Sequence, residues 1–159
     1  MAFKKGQGAT EYLVLLAVVL IVAMVAIALL GFFPGMASDA KITQSDAYWR
    51  GQATPFAVAE HARSSSDQNL ILVLENNAGE QKQLTNITIS GSGISMTYNT
   101  TTSERFFSAG ERKKITVNLG SNCTAGTTYE YNLVFTYTNP DGSITKKQFG
   151  EKPLVGKCS

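Results

Sequence analysis

Lys4-Lys5-Gly6-Gln7-Gly8-Ala9-Thr10-Glu11-Tyr12 opens the decisive stretch of this chain, and an apolar run reaching Phe33 completes it. From Tyr12 to Phe33 no residue is charged, and nearly every side chain is Leu, Val, Ile, Ala, Met or aromatic. Read as helix at ~1.5 Å per residue, the run is ~33 Å long, enough to cross a hydrocarbon layer of about 30 Å. Lys4 and Lys5 precede it, so the positive-inside bias keeps the N-terminus in the cytoplasm and sends the rest outward. An ordinary secretory signal is cut behind an apolar core of about 7–15 residues. Here the run is longer, and the junction that looks processable, Gly6-Gln7, stands in front of it. A rival site behind the run, Gly35-Met36-Ala37, is disfavoured by the same length argument. No cysteine lies nearby, which excludes a lipoprotein anchor.

The pattern Lys4-Lys5-Gly6-Gln7-x-x-x-Glu11-Tyr12-Leu13 resembles the class III signal peptide of archaeal type IV pilin-like proteins. That resemblance implies cleavage by a prepilin peptidase between Gly6 and Gln7, with Lys4, Lys5, Gly6 and Gln7 forming the recognition site. The apolar segment would stay on the mature subunit, with Gln7, Glu11, Tyr12 and Leu13 at its assembling end. Ala9 stands where serine is commonest in the family, a small departure. The implied partners are the peptidase, an assembly platform, membrane lipid before assembly, and further copies of the chain in a helical homopolymer. A weaker likeness extends through Tyr48-Trp49 and Pro55-Phe56-Ala57.

The physical chemistry of Glu11 is legible without the family. A carboxylate near the start of a helix gains about 0.3–1 kcal/mol from the helix dipole. Deep in hydrocarbon it costs on the order of 2.5–3.5 kcal/mol, so it seeks a partner there. In a membrane-resident precursor, Glu11 can rest among headgroups. In a dry bundle of such helices, the obvious partner is the new amine of Gln7, its own or a neighbour's.

The 159-residue chain carries 14 basic and 12 acidic side chains, a net charge of +2; loss of Lys4 and Lys5 would leave it balanced. With no basic stripe, nothing argues for nucleic acid, whose binding rests on phosphate neutralisation. Near-neutral subunits also stack without strong self-repulsion. Both cysteines, Cys123 and Cys158, fall beyond the span and so on the oxidising side, where a disulfide is the default. Free thiols are the alternative, and no Cys-x-x-Cys or Cys-His spacing suggests metal or redox chemistry.

Pro34-Gly35 predicts a break in the helix, since proline removes a backbone donor and clashes with the preceding turn. Beyond it, Ile42 and Trp49 fall on one helix face that would dock against the outer domain or a neighbouring subunit. Past Gln52, Thr54-Pro55 could cap a new helix, or Phe56 and Val58 could alternate in an edge strand. The family likeness favours the strand. After Asn69 the texture becomes β: Leu70–Leu74, Leu84–Ile89, Ile94–Tyr98, Lys114–Leu119, Tyr129–Thr138 and Ile144–Phe149, most alternating apolar with Thr, Ser or Asn. Asn76-Asn77-Ala78-Gly79, Gly91-Ser92-Gly93 and Asn139-Pro140-Asp141-Gly142 read as turns. The expected fold is α+β: a leader over 1–6, a hydrophobic helix over 7–53, and over 54–159 an antiparallel β-sandwich of immunoglobulin-like size.

Three sequons, at Asn86, Asn99 and Asn122, lie in the outer domain, where N-glycosylation is chemically accessible. Asn122 is the weakest because Cys123 adjoins it. Catalytic residues are not expected. His61, the one histidine, stands beside Glu60 with no nucleophile in a matching setting and reads as solvated or structural. No cofactor, metal or small-molecule substrate is indicated. The expected protein is a filament subunit, resident in the membrane as a precursor (N-terminus inside, C-terminus outside) and then carried on a surface fibre. An archaellin-like motility subunit and a single-pass anchored binding module are the alternatives. Archaellins lack the glutamate shortly after the cut, so Glu11 favours the pilin-like reading.

Overall fold

The computed structural model describes residues 7–159, so Lys4, Lys5 and Gly6 lie outside the described residues. One long helix, α1 (Gln7–Gly51), comes first. It runs through position 34 without interruption, which corrects the expected break at Pro34. A proline deletes one rung of the hydrogen-bond ladder, and the rungs on either side suffice to keep the backbone helical. The chain divides into a unit ending at Ala40 and a second from Lys41 to Ser159, which contains the last turns of α1 and all of the β structure.

In the second unit nine strands follow: β1 (Phe56–Arg63), β2 (Asn69–Asn76), β3 (Lys82–Gly91), β4 (Ile94–Asn99), β5 (Phe106–Phe107), β6 (Arg112–Asn118), β7 (Thr128–Thr138), β8 (Thr145–Phe149) and β9 (Leu154–Lys157). A short helix, α2 (Thr102–Arg105), precedes β5. One sheet has the order β1-β2-β6; the other has β4-β3-β7-β8, with β5 added to β3 and β9 to β7. All of these pairings are antiparallel.

Alternation decides the core. On β2 Leu70, Leu72 and Leu74 point inward and are fully buried, as are Ile115 and Val117 on β6. Facing them are Tyr131 and Phe135 of β7, with Leu84, Ile87 and Ile89 of β3. Leu84 and Ile87 are three apart, which strict alternation cannot place on one face. A bulge between Leu84 and Asn86 inserts the extra residue and resets the register. Phe56 bridges the sheets, its ring 5.3 Å from Phe107 and 5.8 Å from Phe135.

The base of α1 belongs to this core. Trp49 is fully buried, with its ring 6.0 Å from Phe135. Gly150 lies so close that a β-carbon there would stand 2.5 Å from the Trp49 ring, so only glycine fits. Ser45 Oγ accepts the amide of Val155 at 2.9 Å, and Tyr48 Oη accepts that of Glu151 at 3.0 Å. Of the two residues expected on the docking face, Trp49 packs into the chain's own outer domain, beside Ser45 and Tyr48, while Ile42 is half-buried.

The Cys123–Cys158 disulfide is formed, with Cα atoms 6.2 Å apart. It fastens β9, whose end also bonds to β1 through Ser159 N and Arg63 O at 3.0 Å. Bridging a separation of 35 residues removes about 3–4 kcal/mol of unfolded-chain entropy in the loop-closure picture. The double substitution Cys123→Ser, Cys158→Ser is expected to lower the unfolding free energy by about that amount, read from the denaturant midpoint of Trp49 fluorescence. Equal midpoints with and without the bridge would refute the estimate.

Candidate functional site: the apolar helix and its junction

Two features stand out, one at each end of α1. At the first, the helix is apolar on every side. Consecutive residues from Tyr12 to Leu16 are all exposed, Tyr12 at 65% and Leu13 at 61%, and the large side chains beyond them through Leu30 are exposed as well. The segment is long and apolar enough to cross a membrane, and none of its most hydrophobic window is buried by the rest of the chain. Burying one Leu, Val or Ile gains ~1.5–3 kcal/mol, so leaving this surface in water would cost several tens of kcal/mol, roughly. Domain stabilities are only about 5–15 kcal/mol. Lipid or other helices must therefore cover it, on all faces rather than along one stripe.

Glu11 is exposed on this segment, and the first turn of α1 contains no acidic residue. Within the described helix, Glu11 lies one turn after Gln7. An i, i+4 pair shares one helix face, ~6 Å apart along the axis.

At the other end, the last turns of α1 meet β1 and β7 in a polar chain that the sequence did not disclose. His61 Nδ1 is 2.7 Å from Tyr129 Oη, and its Nε2 is 3.3 Å from Asp46 Oδ1. Arg50 is 3.7 Å from the other oxygen of Asp46. A consistent tautomer has Tyr129 donating to Nδ1 and Nε2–H donating to Asp46. The His61 side chain is 8% exposed, and a β-carbon on Gly156 would stand 2.8 Å from its ring. Three elements distant in sequence meet here, and only the presence of a lone histidine could have hinted at it. Of the two readings of His61, solvated or structural, the structural one holds.

Burial pushes the His61 pKa below the ordinary 6.5; hydrogen bonding and attraction from Asp46 oppose the shift, and Arg50 adds to it. Burial likewise pushes Tyr129 up to about 12. Since the folded state disfavours the imidazolium, the unfolded chain binds the extra proton first. Stability should thus be complete above the unfolded pKa of about 6.5 and decline as pH falls from there towards the lower folded value. Denaturant titrations at pH 7.5 and 5.5 should show that loss, and His61→Gln should flatten it. An undiminished slope in the variant would assign the effect to other groups.

The sequons are placed unequally. Asn99 and Asn122 are exposed, whereas Asn86 is half-buried on β3, between β4 and β7. Asn122 stands beside the disulfide.

A helix long and apolar enough to cross a membrane is thus continuous with a disulfide-bonded β domain. Residues 4–30 match the family described as "Class III signal peptide". That match marks a prepilin-peptidase substrate of type IV pilin or archaellin kind, anchored in the membrane as precursor and later exposed at the surface. No curated protein matches the chain.

Proposed function

We propose that this chain is the structural subunit of an archaeal type IV pilus-like filament, cut between Gly6 and Gln7 and polymerised through α1 as a helical homopolymer serving surface attachment. The observation that carries the reading is the uncovered, all-round apolar surface of α1 behind a class III leader. Other copies of the same helix supply a covering that no single amphipathic partner could, and stacking each copy on the next by a non-closing contact makes a fibre. The outer domain would form the sheath. Its partition into β1-β2-β6 and β4-β3-β7-β8 supports an immunoglobulin-like sandwich. In this reading the subunit has no catalytic role, and N-linked glycan in the outer domain hydrates the fibre surface. The presence of Glu11 favours a pilin over an archaellin.

Mass spectrometry of material sheared from cells tests the reading. A chain that begins at Gln7, with α1 attached, is the expected result. A chain beginning at Ser38 would mean an ordinary secreted domain, and recovery only from membranes with Lys4 and Lys5 intact would mean a monomeric anchored module.

A further inference from the structure

Asn86 and Asn99 lie thirteen positions apart in sequence, yet the β3–β4 register sets them directly opposite one another. Thr88 faces Thr97 and Ser90 faces Ser95 in the same ladder, and Asn86 also faces Thr136 on its other flank. Two of the three sequons thus share one patch on the outer face of the β4-β3-β7-β8 sheet. Directly opposed residues have β-carbons about 4.5–5.5 Å apart, a spacing comparable to the width of one sugar ring.

The two acceptors differ in what surrounds them. Asn86 is half-buried on an inner strand immediately after the bulge, with a neighbour in hydrogen-bonding register on either side. Asn99 is exposed and ends β4, the outermost strand of its sheet. The residues after it are fixed. The Thr100 hydroxyl donates to Leu84 O at 2.6 Å, while the amide and hydroxyl of Thr101 donate to Glu104 Oε2 at 2.9 and 2.7 Å. Asn99 is therefore presented at the sheet margin by a rigid turn, open on the side away from β3.

We infer that Asn86 and Asn99 form one glycan site rather than two: Asn99 carries the N-linked sugar, and Asn86 stays unmodified beneath it. The chemistry is N-glycosylation by a phosphate-activated sugar donor: a bond forms between Asn99 Nδ2 and the anomeric carbon, the bond from that carbon to the donor's phosphate oxygen breaks, and one amide proton leaves with the phosphate. A sugar on Asn86 would have to emerge between Asn99, exposed on one flank, and buried Thr136 on the other. The first saccharide on Asn99 would instead cover the Asn86 side chain and the hydroxyl ladder next to it. This inference rests on the outward-facing domain of the proposed filament subunit.

One peptide reads the outcome. Trypsin cuts after Lys82 and Arg105, so the denatured chain yields a single fragment, Gln83 to Arg105, containing both sequons. From sheared native filaments, that fragment is expected to carry a single glycan, fragmenting to place it on Asn99. Asn99→Gln should remove it without transfer to Asn86, while Asn86→Gln should leave occupancy unchanged. A doubly modified fragment, a glycan on Asn86, or a fragment with no sugar would each overturn the inference. The N-terminal peptide in the same digest tests the filament reading separately: a start at Gln7 with a bare Gln83–Arg105 fragment would sink the glycan assignment alone.

Discussion

Gly6→Val is expected to abolish surface filaments and to leave the full-length chain, with Lys4 and Lys5 attached, in the membrane. Two things then fail together. The peptidase loses the residue without a side chain at the cut, and the uncut chain keeps two ammonium groups at the end of α1. Those groups oppose assembly physically. In sequence they precede α1, whose N-terminal end repels cations, and drawing each from the headgroups into a dry bundle costs about 2.5–3.5 kcal/mol on insertion scales. For two lysines that is roughly four orders of magnitude in the assembly equilibrium, at about 1.4 kcal/mol per tenfold. In the proposed reading the two lysines that would orient the precursor by the positive-inside bias are the same charges that cleavage would remove before assembly. The mass of the membrane-bound chain and electron microscopy of sheared material check the outcome together. Filaments built from subunits that still carry Lys4 would show that processing is dispensable.

The parts of this fold governed by short-range pattern were legible in sequence, and those governed by partners far along the chain were not. The apolar run and the strands around Leu70–Leu74 and Tyr129–Thr138 follow from composition and period alone, and the structure has them all; at Phe56 the pattern left helix and strand open, the family likeness favoured the strand, and the structure has a strand there. β9 escaped because four residues containing a glycine, Leu154-Val155-Gly156-Lys157, show no alternation to detect. α2 also escaped, although Thr101-x-x-Glu104 is the capping pattern that could have found it. Alternation is actively misleading on β8, where Gln148 is buried and Phe149 is 65% exposed. The reason lies 92 residues away: the Gln148 amide accepts from Phe56 N at 2.9 Å and donates to Phe56 O at 2.7 Å. Unpaired backbone groups at the start of β1 inside the core would cost about 1–3 kcal/mol each, so the amide belongs there. The polar chain Asp46–His61–Tyr129 was hidden for the same reason. As for the candidate site, the leader and apolar helix were readable because their chemistry is written consecutively, whereas Pro34 illustrates a local rule that a long helix overrides.

Glu11→Ala is expected to give a chain that is cut normally at Gly6-Gln7 yet enters filaments at least a hundredfold less than the parent. In the proposed filament, cleavage would create an ammonium group on Gln7 and assembly would carry it into surroundings with neither water nor headgroups. An amine there needs a counter-charge, and from Tyr12 to Phe33 α1 has none to offer. Glu11 is one turn above Gln7 on the same face, so it can neutralise that amine within its own subunit or that of a lateral neighbour. Removing one member of a buried ion pair costs about 3–5 kcal/mol, because the remaining charge is stranded. That penalty recurs at every subunit added. Glu11→Gln separates charge from shape: it keeps the hydrogen-bonding reach and loses the counter-charge, so it should fail nearly as badly as alanine, while Glu11→Asp should recover part of the assembly. Normal fibres from the alanine variant would mean that Glu11 rests at a wet interface in the polymer as it does in the membrane. The amine would then have to find its counter-charge elsewhere.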